Sequence, residues 1–144
     1  IEEGFQGNQI DYMDPNNTYI NMVIDRRTGI PITLSVIYLF LAKRLSLPFY
    51  GIGMPGHFIL QYKKDNFEVF IDPFNSGQIL SKQDCMNLLL FSGYGFLERY
   101  LDISSNKEIL KRMIRNLLLI YKEENNDEKY DKLRDLLNII DVNY

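Results

Sequence analysis

Several residue types are scarce in this 144-residue chain, and each scarcity removes a class of function. A single cysteine, Cys85, forbids an internal disulfide and any zinc site built on several thiolates. A single histidine, His57, forbids a metal site with two or more imidazoles, and neither metal nor cofactor is expected. Cationic excess is missing: 16 Lys and Arg stand against 19 Asp and Glu, a net charge of −3. No basic run breaks that balance, so nothing in the chain attracts nucleic acid. The longest apolar run, residues 36–42, is far short of the about 20 residues that a membrane helix needs. There is no Gly-Lys-Ser/Thr phosphate loop. One thiol and no visible signal-peptide pattern lead to an expectation of a cytoplasmic setting. The chain opens on Ile1 rather than Met, and is expected to be a piece of a longer protein.

What is present is ordinary globular material, 46% hydrophobic and 24% charged, with ten Tyr and nine Phe standing in for absent Trp. The opening, residues 3–17, is rich in Gly and Asn and carries Asp14-Pro15, which reads as loop and turn. Asn16 or Asn17 can cap a short helix through Asp25. Residues 30–45 then form the strongest helix. Pro31 sits where its missing N–H costs nothing, Lys43 and Arg44 suit the C-terminal dipole, and Ser46-Leu47-Pro48 stops the run. The helix is apolar nearly all round, which predicts burial on most sides. Residues 49–54, 57–62 and 67–71 read as strands, the last two forming a hairpin across a polar turn at residues 63–66. Asn75-Ser76-Gly77 is a loop, and Ser81 caps a helix through about Leu90. From Asn106 to Ile140 apolar residues recur at helical spacing in two segments, an antiparallel helical hairpin.

With the hairpin turn centred between Lys64 and Asp65, Phe58 pairs with Ile71, Leu60 with Val69 and Tyr62 with Phe67. That apolar face should lie on the central helix. On the opposite face the end pair is His57 with Asp72, whose Cβ atoms would be about 5 Å apart. A carboxylate that fixes the tautomer of a histidine is two-thirds of a nucleophilic triad. It is also a common structural pairing, a half-buried imidazole satisfied by the nearest acid.

Four ordered segments carry a resemblance. Asn17-Thr18-Tyr19-Ile20-Asn21, Arg26-Arg27-Thr28-Gly29-Ile30-Pro31-Ile32-Thr33-Leu34-Ser35, Pro55-Gly56-His57-Phe58 and Ile71-Asp72-Pro73-Phe74 resemble the SirB-type branch of the transglutaminase-like superfamily, over about residues 5–121. The resemblance implies an α+β class, with a papain-like core in which a buried central helix packs on an antiparallel sheet. Active members carry a Cys at the start of that helix, then a His and an Asp on consecutive strands. His57 and Asp72 fall at the last two positions. The first is occupied by Pro31, which has no nucleophile and no acidic proton, so chemistry of the parent kind cannot run through it. Cys85 lies in a later helix and reads as a small buried hydrophobe. Thr28, Thr33 and Ser35 near the helix start are the hydroxyls that could substitute, although Thr33 and Ser35 within a helix tend to bond back to a carbonyl.

The expected division is a core over residues 1–104 and a helical hairpin over 105–144. That hairpin is close to one tetratricopeptide repeat in length, as commonly follows the core in this branch, and it either docks on the core or continues into further repeats. Asn17, Asn21, Thr28 and Gly56 are candidates to line a polar cleft near His57, although caps and turns explain the Asn residues as well. Arg26-Arg27 reads as a pair salt-bridged to a nearby acid such as Asp25, and Gly93-Tyr94-Gly95-Phe96 as a loop with buried aromatics. Two functions remain open. One is a non-catalytic interaction or regulatory module whose partner is a protein or an extended peptide, with neither nucleic acid nor membrane involved. The other is a hydrolase or acyl-transfer enzyme in which His57, held by Asp72, acts as general base for an altered nucleophile.

Overall fold

The computed structural model describes residues 4–143. Helix α2, Pro31–Arg44, is its centre. Its start is built from the residues before it. The Ile30 N–H donates to Thr33 Oγ1 at 3.1 Å, and that hydroxyl donates to the Asn17 carbonyl at 2.7 Å. Two groups that would be orphaned at a helix start are thereby satisfied. Every residue from Pro31 to Val36 is buried. Beyond them the helix surfaces: Phe40 is 56% exposed, Leu41 54% and Leu45 67%. The expectation of burial on most sides therefore holds only for the first two turns. Apolar composition does not bring a partner with it.

The sheet is an antiparallel meander of β3 Phe49–Ile52, β4 Ile59–Lys64, β5 Phe67–Asp72 and β6 Gln78–Leu80. Its hairpin turn lies one residue further on than the sequence reading placed it. Asp65, at φ 53°, takes a left-handed conformation that a short polar residue tolerates. Leu60 therefore faces Ile71, and Tyr62 faces Val69. The pairs Phe58–Ile71, Leu60–Val69 and Tyr62–Phe67 are corrected by a slip of two residues. A slip of two preserves which face each side chain takes, whereas a slip of one would have inverted the sheet. Strand β6 also begins at once after the 75–77 loop, where no strand was foreseen.

Both faces of the sheet are covered. On one, Phe58 packs with Ile30, Ile32 and Val36 from the central helix region and with Ile109. On the other, Ile52, Met54, Ile59, Phe70 and Leu80 pack with Cys85 and Leu89 of α3, Lys82–Phe91. Ser81 and Asp84 close a reciprocal cap at the start of α3. The amino-terminal part supplies a two-residue parallel pairing of β1 Gln6–Gly7 with β2 Thr28–Gly29, a 3₁₀ turn over Pro15–Asn17, and α1 Ile20–Arg26. Asp14, rather than Asn16 or Asn17, supplies the side-chain cap, and it caps the 3₁₀ turn.

Helices α4 Asn106–Glu123 and α5 Asp127–Asn143 form the foreseen hairpin. Helix α4 is part of the core. Ile109 shares a cluster with Phe58, and the Tyr121 and Tyr19 hydroxyls meet at 2.7 Å.

Candidate functional site

The site begins as a turn. Met54-Pro55-Gly56-His57 closes with the His57 N–H donating to the Met54 carbonyl at 3.2 Å. Pro55 pre-sets the second position, and Gly56 at φ 71° takes the third, which requires a positive φ. A side chain at Gly56 would also press on the Tyr94 ring at 3.2 Å. The turn delivers His57 two residues ahead of β4, beside the end of β5.

There, His57 Nε2 and Asp72 Oδ2 are 2.7 Å apart. The register makes them diagonal neighbours rather than direct partners, and an imidazole spans that offset. Asp72 is itself fully engaged. Its Oδ1 accepts from the Phe74 and Asn75 backbone N–H groups at 3.0 and 3.3 Å, and its Oδ2 also accepts from Asn75 Nδ2 at 2.8 Å. Burial alone would raise the Asp72 carboxyl, but the bond and charge of His57, with Asn75, outweigh it and hold it below its ordinary value. An ionised carboxylate only accepts, so Nε2 donates to it, and in the neutral imidazole the Nδ1 lone pair is left for other partners. Phe74 fixes the ring edge-on at 6.2 Å.

Two cavities meet at His57. One, of about 170 Å³, is lined by Pro31, Ile32, Tyr12, Gly56, Arg112 and Asn116 together with His57 and Phe58. The other, of about 260 Å³, lies on the α3 side, with Met54, Leu88, Leu89 and Ser92 around the His57–Asp72 pair. The start of the central helix and the imidazole therefore share one space. Among the described residues, no thiol or hydroxyl hydrogen-bonds to the imidazole. Cys85 is fully buried in the cluster under α3, and burial, with Asp84 and Asp72 nearby, pushes its thiol up to about 12. Thr33 is spent on the helix start, Thr28 Oγ1 donates to the Arg26 carbonyl, and Ser35 Oγ is enclosed without a partner.

The four cleft candidates separate. Gly56 lines both cavities, while Asn17, Asn21 and Thr28 are among the lining residues of neither. Asn17 is buried and tied to the opening loop, donating to the Asp11 carbonyl at 2.7 Å and accepting from Asn8 at 3.1 Å. Its work is to hold that loop to the helix start. Asn21 is exposed on α1. Arg26 pairs with Asp14 at 2.6 Å rather than with Asp25.

Helix, His-bearing turn and Asp-bearing strand thus converge in that chain order, and the sequence model of one family matches the chain. It covers residues 1–115. The chain belongs to the transglutaminase-like superfamily. Its relatives include F-box only protein 21 of Homo sapiens, 35% identical over 94% of this chain and 22% of that protein. They also include a UPF0162 protein of Xylella fastidiosa, 33% identical over 92% of this chain and 49% of the relative. The UPF0162 protein of Pseudomonas aeruginosa is 31% identical over 98% and 52%. The chain thus spans about a fifth of F-box only protein 21 and about half of the UPF0162 proteins. No solved structure matches it significantly. Among the described residues, no helix is long and apolar enough to cross a membrane.

The sequence reading of this transglutaminase-like domain missed Arg112. Its Nη2 donates to the Met54 and His57 carbonyls, each at 2.9 Å, and its guanidinium lies 5.6 Å from the Phe58 ring centre. One side chain of α4 therefore grips both ends of the turn that presents His57. The available signal was Gly51 and Gly53. A Cβ at Gly51 would stand 3.1 Å from Ile109, and one at Gly53 3.1 Å from Arg112 Nη1, so both glycines admit α4. The sequence reading also missed the spacing Gly51-x-Gly53-x-x-Gly56, which matches a dinucleotide fingerprint but leads into β4 and offers no helix N-terminus for a pyrophosphate.

Proposed function

We propose that this transglutaminase-like domain is an interaction or regulatory module that binds an extended peptide beside His57 without cutting it. One observation carries the reading: Pro31 and His57 line the same cavity. In the SirB-type branch to which we assign it, Pro31 then stands in the place of the superfamily's nucleophile, and a proline ring supplies neither a thiol nor a hydroxyl. Paired cavities on either side of the imidazole support an elongated ligand. The partial coverage of much longer relatives supports a module within a larger assembly. We assign α4 and α5 to a tetratricopeptide-like role, presenting a surface to a protein partner, and the whole to the cytoplasm. The 2.7 Å bond from His57 to Asp72 favours one rival reading, a hydrolase in which the imidazole activates water.

The test is incubation of the chain with a mixture of unstructured peptides and an amine acceptor, read by mass spectrometry. Intact peptides are expected, with selective retention of some of them. Cleavage or amine incorporation that disappears in His57→Ala would replace the module with the rival.

A further inference from the structure

We propose that the cavity between Pro31 and Arg112 binds a carboxylate carried by the peptide. This deepens the reading above and rests on it. Arg112 is the origin of the inference. A guanidinium offers five N–H donors. Two are spent on the Met54 and His57 carbonyls, and no other hydrogen bond or ion pair engages the rest among the described residues. The cation is half-buried, burial pulls its pKa downward, and it nonetheless stays charged.

A desolvated cation is ordinarily matched by a carboxylate, because leaving it unmatched is costly. Here the space it lines contains no Asp or Glu. Its other polar groups are the Tyr12 hydroxyl, the Asn116 amide and His57. This stands out in a chain whose acids outnumber its bases, 19 to 16. Other cations of the chain find acids, as Arg26 finds Asp14 and Lys82 finds Glu98. Arg112 finds none and faces a cavity of about 170 Å³ that admits a small planar anion. The Nη1 and Nε N–H groups that remain can donate charge-assisted bonds to a carboxylate, and in a partly dehydrated site such bonds are strong. The Tyr12 hydroxyl and the Asn116 amide can donate to the same anion. The carboxylate comes from the C-terminus of the peptide or from a Glu or Asp side chain, and the two sources are separable by experiment.

The experiment uses the chain's only imidazole as reporter, following the His57 ring signals by NMR at constant ionic strength. Three probes are titrated: an acetylated tetra-alanine with an amide end, the same peptide with a free carboxylate, and an amide-ended version with one Glu. At least one acidic probe is expected to bind about tenfold or more tightly than the neutral one, with the gap narrowing in high salt. Whichever acidic probe does so identifies the source. Arg112→Gln, first shown to unfold cooperatively, is expected to bind acidic and neutral probes alike. If that variant does not fold, the three probes on the unaltered chain decide. Equal binding of neutral and acidic probes overturns this inference and leaves the peptide reading standing. No binding of any probe overturns both.

Discussion

The two ends of α2 are made of similar residues and live in different surroundings. Its first two turns, Pro31 to Val36, are buried against the sheet and α4, and they open onto the His57 cavity. Its last turns carry Phe40 and Leu41, and Leu45 follows directly after them, all more than half exposed. Apart from Lys43 and Arg44 at the far end, composition does not distinguish these ends. What distinguishes them is whether another layer reaches them. The buried start is where Asn17, Phe58 and Ile109 arrive from three other parts of the chain, and it is where the site sits.

The contrast can be broken most sharply at its aromatic residues. Phe58→Ala, in the layer facing the helix start, is expected to cost about 3–5 kcal/mol in denaturant unfolding. Phe40→Ala at the far end should change stability by no more than about 0.5 kcal/mol. Similar losses at both would erase the distinction. Asp72→Asn comes next, at about 1–3 kcal/mol, because a buried, fully bonded carboxylate is replaced by a group that cannot accept at every position. Its pH dependence has a definite sign. The Asp72 pKa is held below the ordinary carboxylate value of about 3.9. Its contribution is therefore present above that value and lost as pH falls through the lower, folded one. Asp72→Asn should flatten the acid loss of stability below about pH 4, and an unchanged slope would mean that other carboxylates cause it. Thr33→Val, which removes the hydroxyl bonded to the Ile30 N–H and the Asn17 carbonyl, should cost about 1–2 kcal/mol. The smallest effect is assigned to Leu45→Lys, within about 0.5 kcal/mol of neutral, with a gain in solubility as its readout.

Much of this was legible in the residues. Pro31 and Ser46-Leu47-Pro48 mark the two ends of α2, and the residues that cap α3 are visible as Ser81 and Asp84. His57 and Asp72 were paired from strand periodicity, and that pairing survived a two-residue error because both residues kept the same face. The error came from turn chemistry, since a tight turn at Asp65 with positive φ was not foreseen. The exposure of Phe40 and Leu41 was not legible, because burial depends on what the rest of the chain covers. Nor was Arg112. It reads as one more cation on an amphipathic helix, and only the fold brings it to a turn 55 residues away.

The most direct measurement concerns the space that Pro31 shares with His57. The first helical position tolerates a replacement for proline, since its N–H needs no partner. Alkylation with iodoacetamide near pH 6 should modify Pro31→Cys far faster than the unaltered chain, whose Cys85 is buried with its thiol raised to about 12. That speed should be lost when His57→Ala is added. A thiol introduced at that position that reacts no faster than a free one, or that ignores the loss of His57, would contradict the placement of proline in a nucleophile's seat.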